Sequence, residues 1–156
     1  MKRSDPGQEQ MTTEGVADGD GPAAIVERTP TVEEYLHLIE AVGWRPREPR
    51  AVEIALRASL FAVCAEVGGA AVGCGRVIGD GGLHLYLADV VVVPAHQRRG
   101  IGTRIVDALT RFVEAVPFRN VLVAVVPTPG LQRVYQRHGY RAQGADAPAM
   151  YRWVNR

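Results

Sequence analysis

Residues 90–103 read V-V-V-V-P-A-H-Q-R-R-G-I-G-T, and the fold turns on how that stretch is read. Four β-branched residues in a row imply an extended strand buried on both faces. Pro94 has no N–H to donate, so pairing ends there. Arg98, Arg99 and two glycines then lead into residues 103–115, where Ile105, Val106, Leu109, Phe112 and Val113 share one helical stripe. A strand therefore runs through a glycine loop into a helix. The start of a helix presents unpaired N–H groups and partial positive charge, the arrangement that binds phosphate. Gly100 and Gly102 let the backbone come close to a ligand, and Arg98 and Arg99 add forked donors. The stretch reads as a phosphate clamp, set against the plainer reading of an ordinary strand-to-helix turn. It is not a P-loop, since no lysine follows either glycine. Nor is it the dinucleotide fingerprint, since position 105 is Ile.

Working outward, residues 23–28 read as a short strand. The Thr31–Glu34 spacing of a capping box opens a helix carrying Tyr35, Leu38, Ile39 and Val42, which Gly43 stops. Residues 44–50 hold two prolines and read as a loop, and 51–60 as a second helix. Residues 61–67 and 70–78, around Gly68-Gly69, read as a hairpin. Gly73 and Gly75 inside its second strand point to a bulge. After a turn at 79–82, residues 83–93 form a long strand that alternates and then becomes wholly apolar. Residues 120–126 are another buried strand. Residues 131–138 form a helix ended by Gly139, and 142–146 with 150–154 can form a last hairpin. The order β-α-α-β-β-β-α-β-α-β-β predicts an α+β layered fold with a mixed, mostly antiparallel sheet.

The 156 residues suit one domain. Residues 1–22 are too polar to bury a core and read as a disordered tail, leaving 23–156 as the domain. A net charge of +1 supplies no field for nucleic acid or an anionic membrane. Basic residues do not cluster with aromatics, and no apolar run is long enough to span a bilayer. With no apolar leader and two cysteines read as free thiols, the expectation is a cytoplasmic protein. Cys64 and Cys74 face each other across the predicted hairpin.

The segment D-V-V-V-V-P-A-H-Q-R-R-G-I-G-T-R-I-V-D-A-L, with its Q-R-R-G-I-G loop, resembles the acetyl-CoA-binding strand, loop and helix of the GCN5-related N-acetyltransferase (GNAT) family. V-Y-Q-R-H-G-Y, at 134–140, resembles that family's second signature. The resemblance extends over about residues 23–156. It implies a splayed strand pair whose free backbone at Val91, Val92 and Val93 pairs with pantetheine. It also implies pyrophosphate on the amides of Arg98, Arg99, Gly100, Ile101, Gly102 and Thr103. Many relatives place an Asn near the start of the next helix. Here the chain reads Pro127-Thr128-Pro129-Gly130, with Thr128 a weak substitute.

The implied reaction is direct attack of a primary amine on the acetyl thioester, with no covalent enzyme intermediate and no metal. A backbone N–H around Val91 would serve the developing oxyanion. Tyr135, at the family's tyrosine position, would donate to the departing thiolate. Asp89 matches a carboxylate of some relatives and is a candidate base, with a hydrogen-bonding anchor as the equal alternative. Strand parity puts it on the face opposite His84 and Tyr86 unless a bulge intervenes. Tyr35, Trp44, Asp80 and Tyr86 are expected to line the acceptor pocket. An aromatic wall with a carboxylate would suit an arylalkylamine or other cationic amine, although Tyr35 and Trp44 equally suit helix packing. The alternatives are a non-catalytic acyl-CoA-binding module and a protein or peptide acetyltransferase. Val-rich strands leave an edge that could pair into a homodimer.

Overall fold

The computed structural model describes residues 21–142, 144 and 149–154. Strand β1 (Ala24–Val26) precedes helices α1 (Val32–Ala41) and α2 (Pro49–Arg57). Strands β2 (Phe61–Val67), β3 (Ala70–Gly79) and β4 (His84–Val92) follow, then α3 (Ile101–Ala115), β5 (Val121–Val125), α4 (Gln132–Gln136), β6 (Arg141–Ala142) and β7 (Met150–Val154). The seven strands form one sheet in the order β1-β2-β3-β4-β5-β7-β6. Only β4 and β5 run parallel. The mixed, mostly antiparallel sheet is the predicted one. Residues 1–20 of the expected tail, and most of the expected strand at 142–146, lie outside the described residues.

Helix boundaries follow local chemistry. Thr31 and Glu34 form the capping box in both directions, and Arg28 then grips Glu34 through two bonds of 2.7 and 2.8 Å. Helix α2 begins at Pro49, two residues before the expected start, because proline presets the first helical φ. Helix α3 begins at Ile101 with Gly100 as its N-cap. The glycine loop thus runs directly into the first turn.

Alternation along β2 shows the layering. Val63 and Ala65 join the core that α3 covers, with Ile105, Leu109, Leu85 and Val123. Cys64, between them, joins the core under α1 and α2, with Leu38, Ile39, Val52, Leu56 and Val91. Each face of the sheet therefore has its own helical layer. Cys64 lies opposite Cys74 in the β2–β3 register, both as buried free thiols. Burial pushes Cys64 up to about 11 and Cys74 higher still.

Two irregularities shape the centre. Strand β3 carries an extra residue against β2, between Ala65 and Glu66. On its other side, Cys74 faces Val91 and Arg76 faces Ala88, so Asp89 and Val90 together oppose Gly75. Asp89 takes the left-handed conformation at φ 53°. Gly75 sits where α3 presses on the bulged sheet. A Cβ there would lie 2.5 Å from Ile105 Cγ2 and 3.1 Å from Leu109 Cδ1. Overpacking of this kind costs about 1–3 kcal/mol. Gly75→Ala is therefore expected to lower Tm by several degrees in thermal denaturation followed by circular dichroism, whereas an unchanged Tm would refute this packing.

Candidate functional site

Strand β4 pairs with β5 only from His84 to Tyr86, yet continues along β3 to Val92. Past Tyr86 its β5-facing edge is open. A groove of about 490 Å³ lies along that edge. Val90, Val91 and Val92 form one wall, and Val42 and Trp44 flank it. Thr128, Leu131 and Tyr135 stand on the far side, with Arg98, Gly100, Gly102 and Thr103 at the loop end.

The loop is built to turn amides one way. Arg98 at φ 58° and Gly100 at φ 78° are both left-handed, and backbone of this kind gathers successive N–H groups into an anion-binding nest. Gly100 takes that conformation without the Cβ penalty. Ile101 is 4% exposed, so its side chain belongs to the core and only its backbone is available to the loop. Arg99 and Val93 do not line the groove. Gln97 Nε2 donates to the Val92 carbonyl at 2.8 Å and ties the loop back to the strand.

The open edge is narrower than the sequence implied. Val93 N–H donates to Val72 O at 2.9 Å. The Val91 carbonyl faces Gly73, where an added Cβ would lie 2.7 Å from it. Val91 and Val93 are therefore turned to β3, and alternation turns the backbone of Val90 and Val92 to the groove. Of the expected free backbone at 91–93, the Val92 N–H remains, its carbonyl being taken by Gln97, with Val90 added.

Tyr135 is 5% exposed, yet its side chain reaches the groove. Burial, and then the neighbouring Tyr86, push its phenol up to about 12. Tyr86 closes the base of the splay: its hydroxyl accepts the Val126 N–H at 3.2 Å. The bulge moves Asp89 to the α1–α2 face. There its carboxylate accepts from Arg76 Nε. Arg76 also donates to Ala55 O at 2.7 Å and Ser59 Oγ at 3.2 Å. Burial first, and then the Asp89 charge, raise Tyr35 to about 12. The Cys74 thiol donates to the Asp89 carbonyl at 3.6 Å.

The four expected acceptor residues are not brought together. Trp44 borders the groove, and Tyr35 is buried beneath it among α1, α2 and β3. Asp80 lies beyond the opposite end of β4, whose nine residues span roughly 26 Å. Its Oδ1 accepts the N–H groups of Gly82, Leu83 and His84 at 2.8–3.0 Å, which hold its pKa well below the usual carboxylate range. It shapes a turn and does not face Trp44. Sequence reasoning missed Arg76 and Gln97. For Arg76 a signal existed: a lone cation inside the apolar run A-A-V-G-C-G-R-V-I must find a buried partner. Among the described residues, no carboxylate or histidine lines the groove. Among the described residues, no three His, Cys, Asp or Glu side chains are grouped to hold a metal, and no helix is long and apolar enough to cross a membrane.

This architecture has known counterparts. A probable acetyltransferase from meticillin-resistant Staphylococcus aureus is 26% identical and superposes with a TM-score of 0.74, over 80% of this chain and 94% of that one. A GNAT-family N-acetyltransferase from Escherichia coli, solved in complex with CoA, shares the fold at 14% identity and TM-score 0.62, over 90% and 86% of the two chains. The ribosomal-protein-S18-alanine N-acetyltransferase of Escherichia coli does so at 13% and 0.67, over 86% and 95%. No curated protein sequence matches. Residues 29–140 match the model of the acetyltransferase (GNAT) family. With well over half of the chain matched, and a splayed strand leading into a glycine-rich helix start, the protein belongs to the GNAT family of N-acetyltransferases, which take the acetyl group from acetyl-CoA.

Proposed function

We propose that the enzyme transfers the acetyl group directly to the primary amine of a small molecule. The carrying observation is that one groove holds both the open edge of β4 and a buried, protonated phenol, Tyr135. The groove also fits the donor. Its apolar valine wall suits a pantetheine arm, and the loop from Arg98 to Thr103 offers amides and glycines, with no Cβ at 100 or 102, to a pyrophosphate. When bound, acetyl-CoA supplies an activated acyl group on a thiol leaving group.

The placement of the thiols supports direct transfer. Cys64 and Cys74 are buried under α1 and α2 as thiols of raised pKa, and neither lines the groove. The Val90 N–H, on the open edge past the bulge, is aimed to donate to the acyl oxygen as charge develops there. The Val92 N–H is left to orient the pantetheine arm, the Val92 carbonyl being held by Gln97. Tyr135 acts as a hydrogen-bond donor to the leaving sulfur. Full proton transfer from a phenol near 12 to a thiolate near 8.5 would be uphill by about 5 kcal/mol. A bond to the charged sulfur contributes about 1.5–3 kcal/mol without that cost. Among the described residues, none that lines the groove has a carboxylate or imidazole to take the amine proton, so the amine reacts from its neutral fraction and the proton leaves through water. At pH 7 that fraction costs about 4 kcal/mol for an alkyl amine. Trp44 supplies an apolar face for the acceptor, while Asp80 is too distant to offer it a counter-charge.

Release of free CoA thiol from acetyl-CoA tests the reading with arylalkylamines, polyamines, amino sugars, amino acids and a lysine peptide. Turnover is expected with a small amine, and turnover with the peptide alone would replace the small acceptor by a protein one. Tyr135→Phe is expected to lower kcat about 10- to 100-fold and leave the Kd of acetyl-CoA unchanged. An unaltered rate across pH would remove Tyr135 from the chemistry. Because Tyr135 stays protonated up to about pH 12, its ionisation imposes no descending limb. The ratio kcat/KM should rise about tenfold per pH unit toward the amine pKa near 10, and a fall between pH 8 and 10 would contradict the assignment.

A further inference from the structure

One buried ion pair stands just behind the open edge and outside the groove. Asp89 is the first residue of the β4 bulge and holds φ 53°. Aspartate enters the left-handed region reluctantly, whereas glycine does so freely. The Asp89 carboxylate accepts from Arg76 Nε, with both side chains largely buried. Arg76 is itself held, since its Nη1 donates to Ala55 O of α2 and to Ser59 Oγ. The cation therefore spans β3, the bulge of β4 and the last turn of α2. The residue next after Asp89 is Val90.

We propose that Arg76 is a positioning residue: by clamping Asp89 in the bulge it aims the Val90 N–H at the acyl oxygen. Asp89 then acts as the other half of the clamp and does not serve as the base. This rests on the reading of Val90 as the oxyanion donor. Two features of the pair support it. The carboxylate that could have taken a proton is already engaged by a guanidinium fixed on three sides. And the clamp reaches the groove only through backbone, because neither side chain lines it. Small displacements of a donor from its target cost rate steeply, up to about 10²-fold for an ångström.

The test uses three variants of the full chain: Arg76→Met, Arg76→Met with Asp89→Gly, and Arg76→Met with Asp89→Ala. Removing Arg76 alone leaves a buried carboxylate without its partner, so the two double variants carry the test even where the single one is unstable. Glycine takes up the left-handed bulge unaided; alanine does not. The expected result is a kcat lowered about 10- to 100-fold in Arg76→Met, with KM for acetyl-CoA within twofold. The glycine double variant recovers to within about threefold of the parent, and the alanine one stays low. Amide hydrogen exchange at residues 89–92, read without any acceptor amine, should quicken in Arg76→Met and in the alanine variant and return toward the parent in the glycine one. Recovery by alanine as good as by glycine would show that only the orphaned carboxylate mattered and would overturn the proposal. So would unchanged kcat and exchange in Arg76→Met. Inactivity of both double variants with parental exchange at 89–92 would make Asp89 the base and overturn it as well. If the parent turns over no amine, the functional reading fails while the exchange pattern still decides whether Arg76 sets the bulge.

Discussion

Beyond Tyr86, β4 keeps β3 on one side and loses β5 on the other, and that lost pairing is what the chain must stabilise by other means. An unpaired strand edge in a protein interior leaves polar backbone groups without partners. Here several devices manage it. Tyr86 bridges the base of the gap to Val126 N–H, Gln97 satisfies the Val92 carbonyl, and the bulge at Asp89 resets which residues face outward. The groove is the remainder: the part of the edge that none of the described residues covers. Its shape thus depends on two polar contacts, on the bulge and on packing of α3 close enough to need glycine at 75.

The two halves of the chemistry sit in different electrical surroundings. The loop from Arg98 to Thr103 is exposed apart from Ile101 and Gly102–Thr103, so an anion held there would meet its amides and Arg98 at the edge of solvent, where Coulomb attraction is weak and geometry does the selecting. Tyr135 lies deep against Tyr140, with ring centroids 6.0 Å apart. There the cost of ionisation keeps the phenol neutral. A neutral donor beside a departing thiolate suits a thiol that is already a competent leaving group. It would serve poorly as a strong acid, and the reaction does not demand one.

Much of this was legible in the sequence for physical reasons. A β-branched run, a proline and paired glycines constrain the backbone directly, so the strand, the loop and the helix after it could be read with the clamp between them. What could not be read was parity. Beyond Leu87 the strand is buried on both faces, and apolar side chains on both faces leave no alternation to follow. The extra residue at Asp89 and Val90 is silent in such a run, yet it moves Asp89 to the α1–α2 face and exchanges Val91 for Val90 on the open edge. Asp80 failed differently. Its Gly81-Gly82 sequel is turn chemistry, and an aspartate whose side chain accepts the following amides is spent on the turn.

The same contrast explains why the donor side of the reaction is so much better defined than the acceptor side. What the groove offers a coenzyme is mostly main-chain: the backbone of a glycine loop and the exposed edge of a strand. Main-chain geometry is imposed by glycine, proline and β-branched residues, whose effects are local and therefore visible one residue at a time. Acceptor recognition must come from side chains that converge from separate elements, and the structure separates the candidates: Trp44 at the rim, Tyr35 beneath it, Asp80 at the other end of β4. With no carboxylate or histidine among the described residues that line the groove, those residues offer little means of pulling an ammonium in by charge. Selection then falls to shape and apolar contact beside Trp44, and to how readily the amine reaches its neutral form. On the small-amine reading proposed above, an acceptor of lowered basicity loses less to desolvation and deprotonation at pH 7 than an ordinary alkyl amine, and such a groove would suit weakly basic or apolar amines better than polycations.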